Sequence, residues 1–369
     1  MSRVLVVGGG IVGTTLAVEA LDRGHEVVQV ERDEEPRGAS LRNFGLIWIC
    51  GRAAGRELER ALEGRGRWEL LTRRAPAIGF RPTGSLVLAT SRAELDLAEA
   101  ACSRDDAQER GFRMLTPEDA RAHEPGLGDL LGALHSPLDA VVEPSAALSA
   151  LRSLAMSSGR YRFVAGRTIV GRDEMTAWDH RGERHDADLV ALCTGVATEL
   201  FPADLVEGAA LSRRNLQMLG TAPCSPTLRT AIAGGDAMRY YPAFDLPERE
   251  RLPPAENAVD RFAAQLLIAP RADGRLTIGD THIDDEPGRF GSEEEADGYM
   301  LAQARAAIST PLPEVERRWT GTYLRRADGT GGALLELTSD GALVIAGVGG
   351  MGMTAAPVFA AEGLDLAGL

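Results

Sequence analysis

The chain of 369 residues contains no lysine, because all forty of its Lys and Arg residues are arginine. This absence excludes a Schiff-base lysine, a lysine general base and the lysine of a P-loop, since each depends on a primary amine. Codon bias is the simplest explanation, and it also fits the abundance of Ala, Gly and Arg. Any cationic side chain that meets a ligand is therefore arginine or histidine.

Cysteine and histidine are scarce, with four and six residues respectively, and neither forms a metal-binding pattern. Cys50, Cys102, Cys193 and Cys224 lack CxxC or zinc-site spacing, and no HExxH pair occurs. We therefore predict no metal site. Four scattered cysteines in a chain of this length are typical of a reducing compartment.

Long apolar runs are also absent, so the sequence predicts no membrane span. The apolar start is broken by glycines, unlike a signal peptide. The net charge of −14 argues against binding to nucleic acid or to anionic membranes. We expect a cytoplasmic protein with a small-molecule partner, and the sequence leaves its oligomeric state open.

The first thirty-one residues carry the most informative pattern. A buried strand (Arg3 to Val7) precedes a glycine-rich turn, a helix and a second strand that ends at Glu31. In this arrangement Gly8 allows a tight turn, Gly10 lets a pyrophosphate approach the backbone, and Gly13 lets helix and strand pack closely. Glu31 follows at the distance where an acid binds ribose hydroxyls. The pattern predicts a dinucleotide site, with a plain glycine-rich turn as the alternative.

Elements of the same kind recur later in the chain, which predicts an α/β protein (α+β overall). Buried strands are expected at 188–193 and 342–346, and an exposed helix at 91–111. Shorter alternating strands occupy 216–329. We expect a discontinuous Rossmann-like domain (1–78, 145–215 and 330–369) with an inserted antiparallel-sheet substrate domain (79–144 and 216–329).

The order of these segments resembles the FAD-dependent D-amino-acid, glycine and sarcosine oxidase superfamily over nearly the whole chain. The segments are the start, the turn at 40–45, the segment 139–144, the strand end at 191–195 and the glycine-rich loop at 347–354. Motifs at 42–48, 83–86, 239–244, 278–282 and 319–323 are similar to a narrower subgroup, which is associated with aminophosphonate breakdown.

The resemblance implies FAD rather than NAD, and the second glycine-rich loop agrees, because an NAD enzyme gives it no role. That loop can also serve packing alone. Some relatives tether FAD through a cysteine near 319–325, where this chain has none, so we expect non-covalent FAD; Cys50 is a weak alternative tether. The expected FAD-binding residues are Gly8, Gly10, Ile11, Val12, Gly13, Glu31, Arg32, Ala39, Ser40, Arg42, Asn43, Phe44, Gly45, Thr168, Thr194, Gly195, Gly349, Gly350, Met351, Gly352, Met353 and Thr354.

The implied reaction is oxidation of the C–N bond of a small anionic amine such as 2-aminoethylphosphonate, to an aldehyde plus ammonia or methylamine. An anionic substrate needs a cationic anchor, and arginine binds anions in a bidentate manner. The candidate anchors are Arg239, Arg42 and Arg325, with Trp48 and Tyr240 as further substrate contacts. Each arginine can instead be a surface charge, and each aromatic residue a core residue.

Two residues are candidates for a catalytic role. Tyr241 can donate a hydrogen bond to the substrate anion, and His282 can orient the substrate or assist amine deprotonation. A structural histidine is an equal alternative. Some sarcosine-oxidase relatives use a lysine over the flavin to activate oxygen. Because this chain lacks lysine, either Arg or His supplies that charge or another acceptor takes the electrons.

Three other functions stay open at this point. The protein can oxidise glycine, sarcosine or another amino acid, for example within a biosynthetic pathway. It can be a flavoprotein subunit of a larger complex. An NAD-dependent dehydrogenase is the weakest alternative.

Overall fold

The computed structural model describes residues 1–284, 291–327 and 332–369. Within these ranges the chain forms twenty strands and eleven α-helices. The strands are β1 (Arg3–Val7), β2 (Glu26–Val30), β3 (Leu46–Ile47), β4 (Ser85–Ala89), β5 (Arg113–Leu115), β6 (Gly132–Ser136), β7 (Ala140–Val141), β8 (Tyr161–Val164), β9 (Ile169–Asp173), β10 (Thr176–Asp179), β11 (Arg184–Asp186), β12 (Leu189–Leu192), β13 (Leu211–Thr221), β14 (Ala231–Ala233), β15 (Leu267–Pro270), β16 (Leu276–Gly279), β17 (Ile283–Asp284), β18 (Val315–Arg326), β19 (Leu334–Leu337) and β20 (Leu343–Ala346).

The helices of the described ranges vary in length from 4 to 19 residues. They are α1 (Ile11–Asp22), α2 (Arg56–Arg74), α3 (Arg92–Cys102), α4 (Ala107–Arg110), α5 (Pro117–His123), α6 (Pro144–Ser157), α7 (Ala203–Gly208), α8 (Ala237–Tyr240), α9 (Asn257–Phe262), α10 (Glu294–Ala307) and α11 (Gly352–Leu366). Among these helices, none is long and apolar enough to cross a membrane.

A six-stranded sheet in the order β19-β20-β12-β1-β2-β8 forms the first layer. Its pairs are parallel except β19 with β20. The central strands are nearly continuous runs of Val, Leu, Ile and Ala because both faces are covered, as parallel sheets require. Helix α1 packs against α6 and α11, and their apolar faces form one core with the sheet. This arrangement confirms the predicted α/β class with its Rossmann-like domain.

A second sheet of nine strands carries the order β17-β13-β16-β15-β14-β4-β6-β5, with β18 paired to β13. It is antiparallel as expected, except that β4 and β14 run parallel. Its longest pairing joins β13 and β18 over nearly their full lengths. Strand β13 begins at Leu211, before the boundary at residue 216 that the sequence suggested.

The single exposed helix predicted at 91–111 is wrong. The segment forms α3 and α4 with a break at 103–106, and one face of α3 is buried. Asp106 lies in this break, where its carboxylate accepts hydrogen bonds from Arg104 and Arg110. Arg110 is fully buried and belongs to the core.

Two buried, oppositely charged side chains hold the segment that follows β3. The Asp139 carboxylate accepts hydrogen bonds from the Ile49 and Cys50 N–H groups, at 2.6 and 3.1 Å. The Arg110 guanidinium donates to the carbonyl oxygens of the same two residues, at 3.2 and 3.4 Å. Ser85 donates to the other Asp139 oxygen at 2.5 Å. The backbone of residues 49–50 is therefore fixed on both of its polar sides.

We expect Asp106→Asn to destabilise the protein by about 3 kcal/mol, because it removes the carboxylate partner of a fully buried guanidinium. Burial alone would raise the pKa of Asp106, but hydrogen bonds from Arg104 and Arg110 outweigh it and lower the pKa to about 2. The folded pKa lies below the unfolded value of ~3.9. The stabilisation is therefore present above that pH and lost as the pH falls towards 2.

Urea unfolding of wild type and variant between pH 3 and pH 7 checks this prediction. Asp105→Asn is the matched control, because Asp105 is the exposed neighbouring acid. Equal unfolding midpoints for the Asp106 and Asp105 variants at pH 7 would contradict it.

Candidate active site

A cavity of about 930 Å³ lies where the two sheets meet. On one side it is lined by the carboxyl ends of β1, β12 and β20, which contribute Val7, Cys193 and Ala346. On the other side it reaches the second sheet at Leu216 and Leu267. The crevice outside the carboxyl ends of parallel strands is where α/β sheets bind ligands.

The glycine-rich turn after β1 is built for close backbone contact. A Cβ on Gly8 would lie 2.2 Å from the Cys193 carbonyl oxygen, and Gly8 has a φ of +118°. A Cβ on Gly13 would lie 2.2 Å from the Gly8 carbonyl oxygen. A Cβ on Gly10 would lie 2.9 Å from Ser40 Oγ and would meet no other residue within 4 Å. Gly8 and Gly13 are thus required by backbone packing, whereas Gly10 is limited by one side chain and lines the cavity.

The N-terminus of α1 presents N–H groups that no helical carbonyl can satisfy. The Ile11 N–H donates to Ser40 Oγ at 2.9 Å, which places the 38–45 turn beside the helix end. Glu31 accepts from the Gly9 N–H at 2.6 Å and from the Asp33 N–H at 3.1 Å. A Cβ on Gly9 would lie 2.9 Å from the Glu31 carboxylate, so this position needs glycine as well.

The C-terminal glycine-rich loop lines the same cavity, as the resemblance implied. Gly347 and Gly349 have positive φ values, and the loop continues directly into α11. Arg52 is buried and donates to the Gly350 carbonyl at 3.1 Å and to the Trp48 carbonyl at 2.8 Å. Arg52 thereby joins the loop to the segment after β3.

Most of the sequence-predicted residues meet in this one cavity. Those that line it are Gly8, Gly10, Ile11, Val12, Glu31, Arg32, Ala39, Ser40, Arg42, Asn43, Phe44, Trp48, Thr168, Thr194, Gly195, Tyr240, Tyr241, His282, Arg325, Gly349, Gly350, Met351, Gly352 and Met353.

Four predicted residues do not line the cavity, and each has another role. Gly13 packs on the turn, and Gly45 lies against the Val142 carbonyl. Thr354 accepts a hydrogen bond from the Trp48 N–H at 3.0 Å and so ties α11 to β3. Arg239 pairs with Asp236 and donates to the Pro253 carbonyl. The structure therefore does not place Arg239 where it could anchor a substrate in this cavity.

The residues present fit FAD. Gly10 leaves room for a pyrophosphate at the N-terminus of α1, where helix N–H groups favour anions. Glu31 is positioned to accept hydrogen bonds from ribose, and the 347–353 loop offers further N–H groups. The Trp48 indole N–H is buried and has no hydrogen-bond partner among the described residues. These residues would hold the cofactor.

Cysteine chemistry in the cavity is suppressed. Cys193 lines the cavity, but burial raises the pKa of its thiol to about 12. Cys50 is fully buried, and burial followed by the nearby Asp139 charge raises the pKa of its thiol well above the usual value. A protonated thiol is a poor nucleophile. These environments favour non-covalent FAD.

Polar and aromatic side chains of the second sheet gather at the cavity wall around His282. Its ring stacks on Tyr240 with centroids 4.0 Å apart, and its Nδ1 lies 3.3 Å from the Tyr323 hydroxyl. Its Nε2 lies 3.0 Å from the Gln265 amide nitrogen. The same amide contacts Asp280 at 3.1 Å. We call Gln265, Asp280, His282, Tyr240 and Tyr323 the polar wall.

Several of these residues escaped the sequence analysis. Asp280 and Tyr323 lie inside the 278–282 and 319–323 motifs. The sequence analysis therefore included their segments, but it assigned neither residue a role. Arg52 and Gly9 were not predicted, and the only indication in the sequence was that they lie close to residues that were. Gln265 lies at the start of an expected strand, and nothing in its neighbourhood distinguishes it from a structural glutamine.

We expect Glu31→Gln to raise the dissociation constant for FAD by about tenfold, because a charge-assisted hydrogen bond becomes a neutral one. Titration of apoprotein with FAD, followed by flavin fluorescence, measures this. Glu35→Gln is the matched control, since Glu35 is exposed and pairs with Arg152 outside the cavity. Equal affinities for the two variants would contradict a ribose-binding role of Glu31.

Acid precipitation of the flavin-loaded protein should leave all of the yellow colour in the supernatant, because the cavity offers no reactive thiolate. Absorbance of the supernatant and of the redissolved pellet measures the two fractions. Flavin that stays with the pellet after washing in denaturant would contradict non-covalent binding.

Comparison with known proteins bears on this site. The solved structure of glycine oxidase from Geobacillus kaustophilus superposes with a TM-score of 0.79 and 21% identity, covering 100% of this chain and 95% of that one. The solved structure of L-proline dehydrogenase from P. horikoshii superposes with a TM-score of 0.78 and 18% identity, covering 99% of this chain and 92% of that one. At these identities the likeness shows the fold alone.

A curated relative, one of the subunits of the anaerobic glycerol-3-phosphate dehydrogenase of Escherichia coli K12, is 33% identical over 146 residues. The match covers 39% of this chain and spans about a quarter of the relative's length (26%). The profile of the DAO family, described as FAD dependent oxidoreductase, matches residues 3–365. Because that match spans nearly the whole sequence, the protein belongs to the DAO family of FAD-dependent oxidoreductases, which confirms both its enzyme class and FAD as its cofactor.

Proposed function

We propose that this enzyme oxidises the C–N bond of a small anionic amine, with 2-aminoethylphosphonate or its N-methyl form as the substrate. The products are an aldehyde and ammonia or methylamine. Glycine oxidase and L-proline dehydrogenase, which share the fold, are named for substrates with such bonds. The proposal places the reaction in the cytoplasm, and the four unpaired cysteines are consistent with that.

The observation that carries the anionic part of the proposal is Arg325. It lines the cavity, and its buried Nε has no hydrogen-bond partner among the described residues. Its Nη2 lies 3.2 Å from Asp284, which Arg214 also contacts at 2.8 Å. Among the described residues, two guanidinium groups therefore share this one carboxylate. The unpartnered Nε suits a phosphonate or carboxylate.

Arg42 lines the same cavity, and its guanidinium donates to the Thr320 carbonyl at 3.2 Å. Because Arg42 is exposed, it is the weaker anchor, since solvent screens its charge. Arg325 is thus the anchor that the structure favours among the three predicted arginines.

Bound FAD supplies the acceptor for the hydride that leaves the α-carbon of the amine. The chain supplies position and a dry environment. Trp48 and Tyr241 pack with ring centroids 5.6 Å apart, and both are largely buried, so water is kept from that part of the cavity. Burial and the Asp280 charge raise the pKa of Tyr241 well above its usual value. Tyr241 therefore keeps its proton and can donate it in a hydrogen bond.

Two alternatives share the fold. Glycine, sarcosine or another amino acid as substrate needs the same anion anchor and differs only in where the anion sits. A flavoprotein that works within a larger complex is supported by the curated relative, which is itself named as one subunit of an enzyme.

Anaerobic mixing with a panel of amines tests the proposal. The panel holds 2-aminoethylphosphonate, its N-methyl form, glycine, sarcosine and D-alanine, and the readout is loss of flavin absorbance near ~450 nm. We expect bleaching by the aminophosphonates and not by the amino acids. Bleaching by amino acids alone would refute the aminophosphonate assignment. Admitting air afterwards tells an oxidase from a dehydrogenase.

Arg325→Gln should raise KM for the bleaching amine at least ~10-fold with a smaller change in kcat, because it removes ground-state binding of the anion. Stopped-flow reduction at varied substrate concentration separates the two constants. Arg305→Gln, on α10 outside the cavity, is the control. An unchanged KM in Arg325→Gln would exclude this arginine as the anchor.

A further inference from the structure

We infer that Asp280 is a binding site for the positively charged nitrogen of the substrate, and that the rings around it form a cation-selective box. The inference rests on the proposed function for its substrate, since it adds the group that recognises the amine. No arginine or other fixed cation is paired with this carboxylate among the described residues.

Asp280 is a buried acid that faces the cavity, with 4% of its surface exposed. Its carboxylate contacts are the Gln265 amide at 3.1 Å and the His282 Nε2 at 3.4 Å, and both fall on Oδ1. In the part of the chain that the structure describes, no ion pair with arginine reaches it. Buried carboxylates are normally paired with a cation, because burial disfavours an isolated charge.

His282 Nε2 lies 3.4 Å from Asp280 Oδ1 and 3.0 Å from the Gln265 amide nitrogen. When Nε2 accepts a hydrogen bond from that amide, the ring proton is on Nδ1, which faces the Tyr323 hydroxyl at 3.3 Å. In that tautomer the imidazole is neutral and does not offset the charge of Asp280. A cationic ligand completes the pairing.

Aromatic rings surround the same space. Tyr240 and Tyr241 meet edge to face with centroids 5.1 Å apart, and Trp48 lies 5.6 Å from Tyr241. All three line the cavity together with Asp280. Ring faces attract organic ammonium ions, most strongly when water is excluded. One atom joins the carboxylate to these rings, because the Gln265 amide nitrogen lies 3.1 Å from Asp280 Oδ1 and 3.4 Å from the Tyr241 hydroxyl.

Arg325 lines the same cavity as Asp280 and lies on β18 beside Tyr323 of the polar wall. An amine that carries its anionic group on another carbon can place nitrogen at Asp280 and the anion at the guanidinium.

The test uses the FAD-loaded enzyme and a cation that cannot be deprotonated. Tetramethylammonium chloride is titrated at constant ionic strength, with uncharged tert-butanol as a probe of similar shape, and the flavin difference spectrum is recorded. We expect a saturable perturbation from the cation and none from the alcohol at equal concentration. Asp280→Asn should raise the dissociation constant of tetramethylammonium at least ~10-fold, since it removes the buried charge partner.

Asp245→Asn is the control variant, because Asp245 is exposed and pairs only with Arg249 among the described residues. Equal perturbation by tert-butanol and the cation in the wild type would overturn the inference even if Asp280→Asn does not fold. Equal affinity in folded Asp280→Asn and wild type would also overturn it.

The amine panel separates the two proposals. If no amine bleaches the flavin while tetramethylammonium binds through Asp280, the cation site stands and the proposed reaction fails. If amines bleach both proteins with the same KM, the reaction stands and the cation site fails.

Discussion

The hydrogen bonds of Asp139 and Arg110 with the backbone of residues 49–50 are the constraint on which the cavity depends. They fix a non-helical, non-sheet segment in a fully buried place, where unpaired N–H and C=O groups would be costly. Burial raises the pKa of Asp139, and the bonds from Ser85, Ile49 and Cys50 oppose that rise. Because the segment is held at both polar sides, Trp48 and Arg52 on either side of it reach the cavity in set positions.

The dinucleotide turn shows how steric limits and ligand binding share a few residues. Gly8 and Gly13 are required by backbone that lies within van der Waals distance, whatever binds beside them. Gly9 adds a third limit, because the Glu31 carboxylate fills the space where its side chain would be. Gly10 is limited by the Ser40 hydroxyl and also lines the cavity. The glycine pattern of this turn is therefore set largely by steric packing, and that packing places the N-terminus of α1 where it can bind an anion.

Sequence patterns predicted those elements of the protein that depend on residues close together in the chain. The strands β1 and β2, helix α1 and both glycine-rich loops follow from apolar runs, periodicity and turn residues. The burial of Arg110 could not be predicted, because this arginine looks like any surface arginine in a chain with forty. Of the polar wall, His282 and Tyr240 were predicted as site residues, whereas Gln265, Asp280 and Tyr323 were not. Its members come from α8, from β18 and from segments beside β15 and β16, so only the folded chain brings Gln265 beside Asp280.

Because the chain lacks lysine, the fixed positive charges that line the cavity are guanidinium groups. Guanidinium groups keep their protons at any physiological pH, so arginine can hold an anion but cannot exchange a proton with a substrate. Tyr240 and Tyr241 also keep theirs, since burial and Asp280 raise the pKa of both phenols. On the proposed function, arginine therefore supplies a fixed positive charge for the anion of the substrate, and the inferred cation site at Asp280 supplies the opposite charge for its nitrogen.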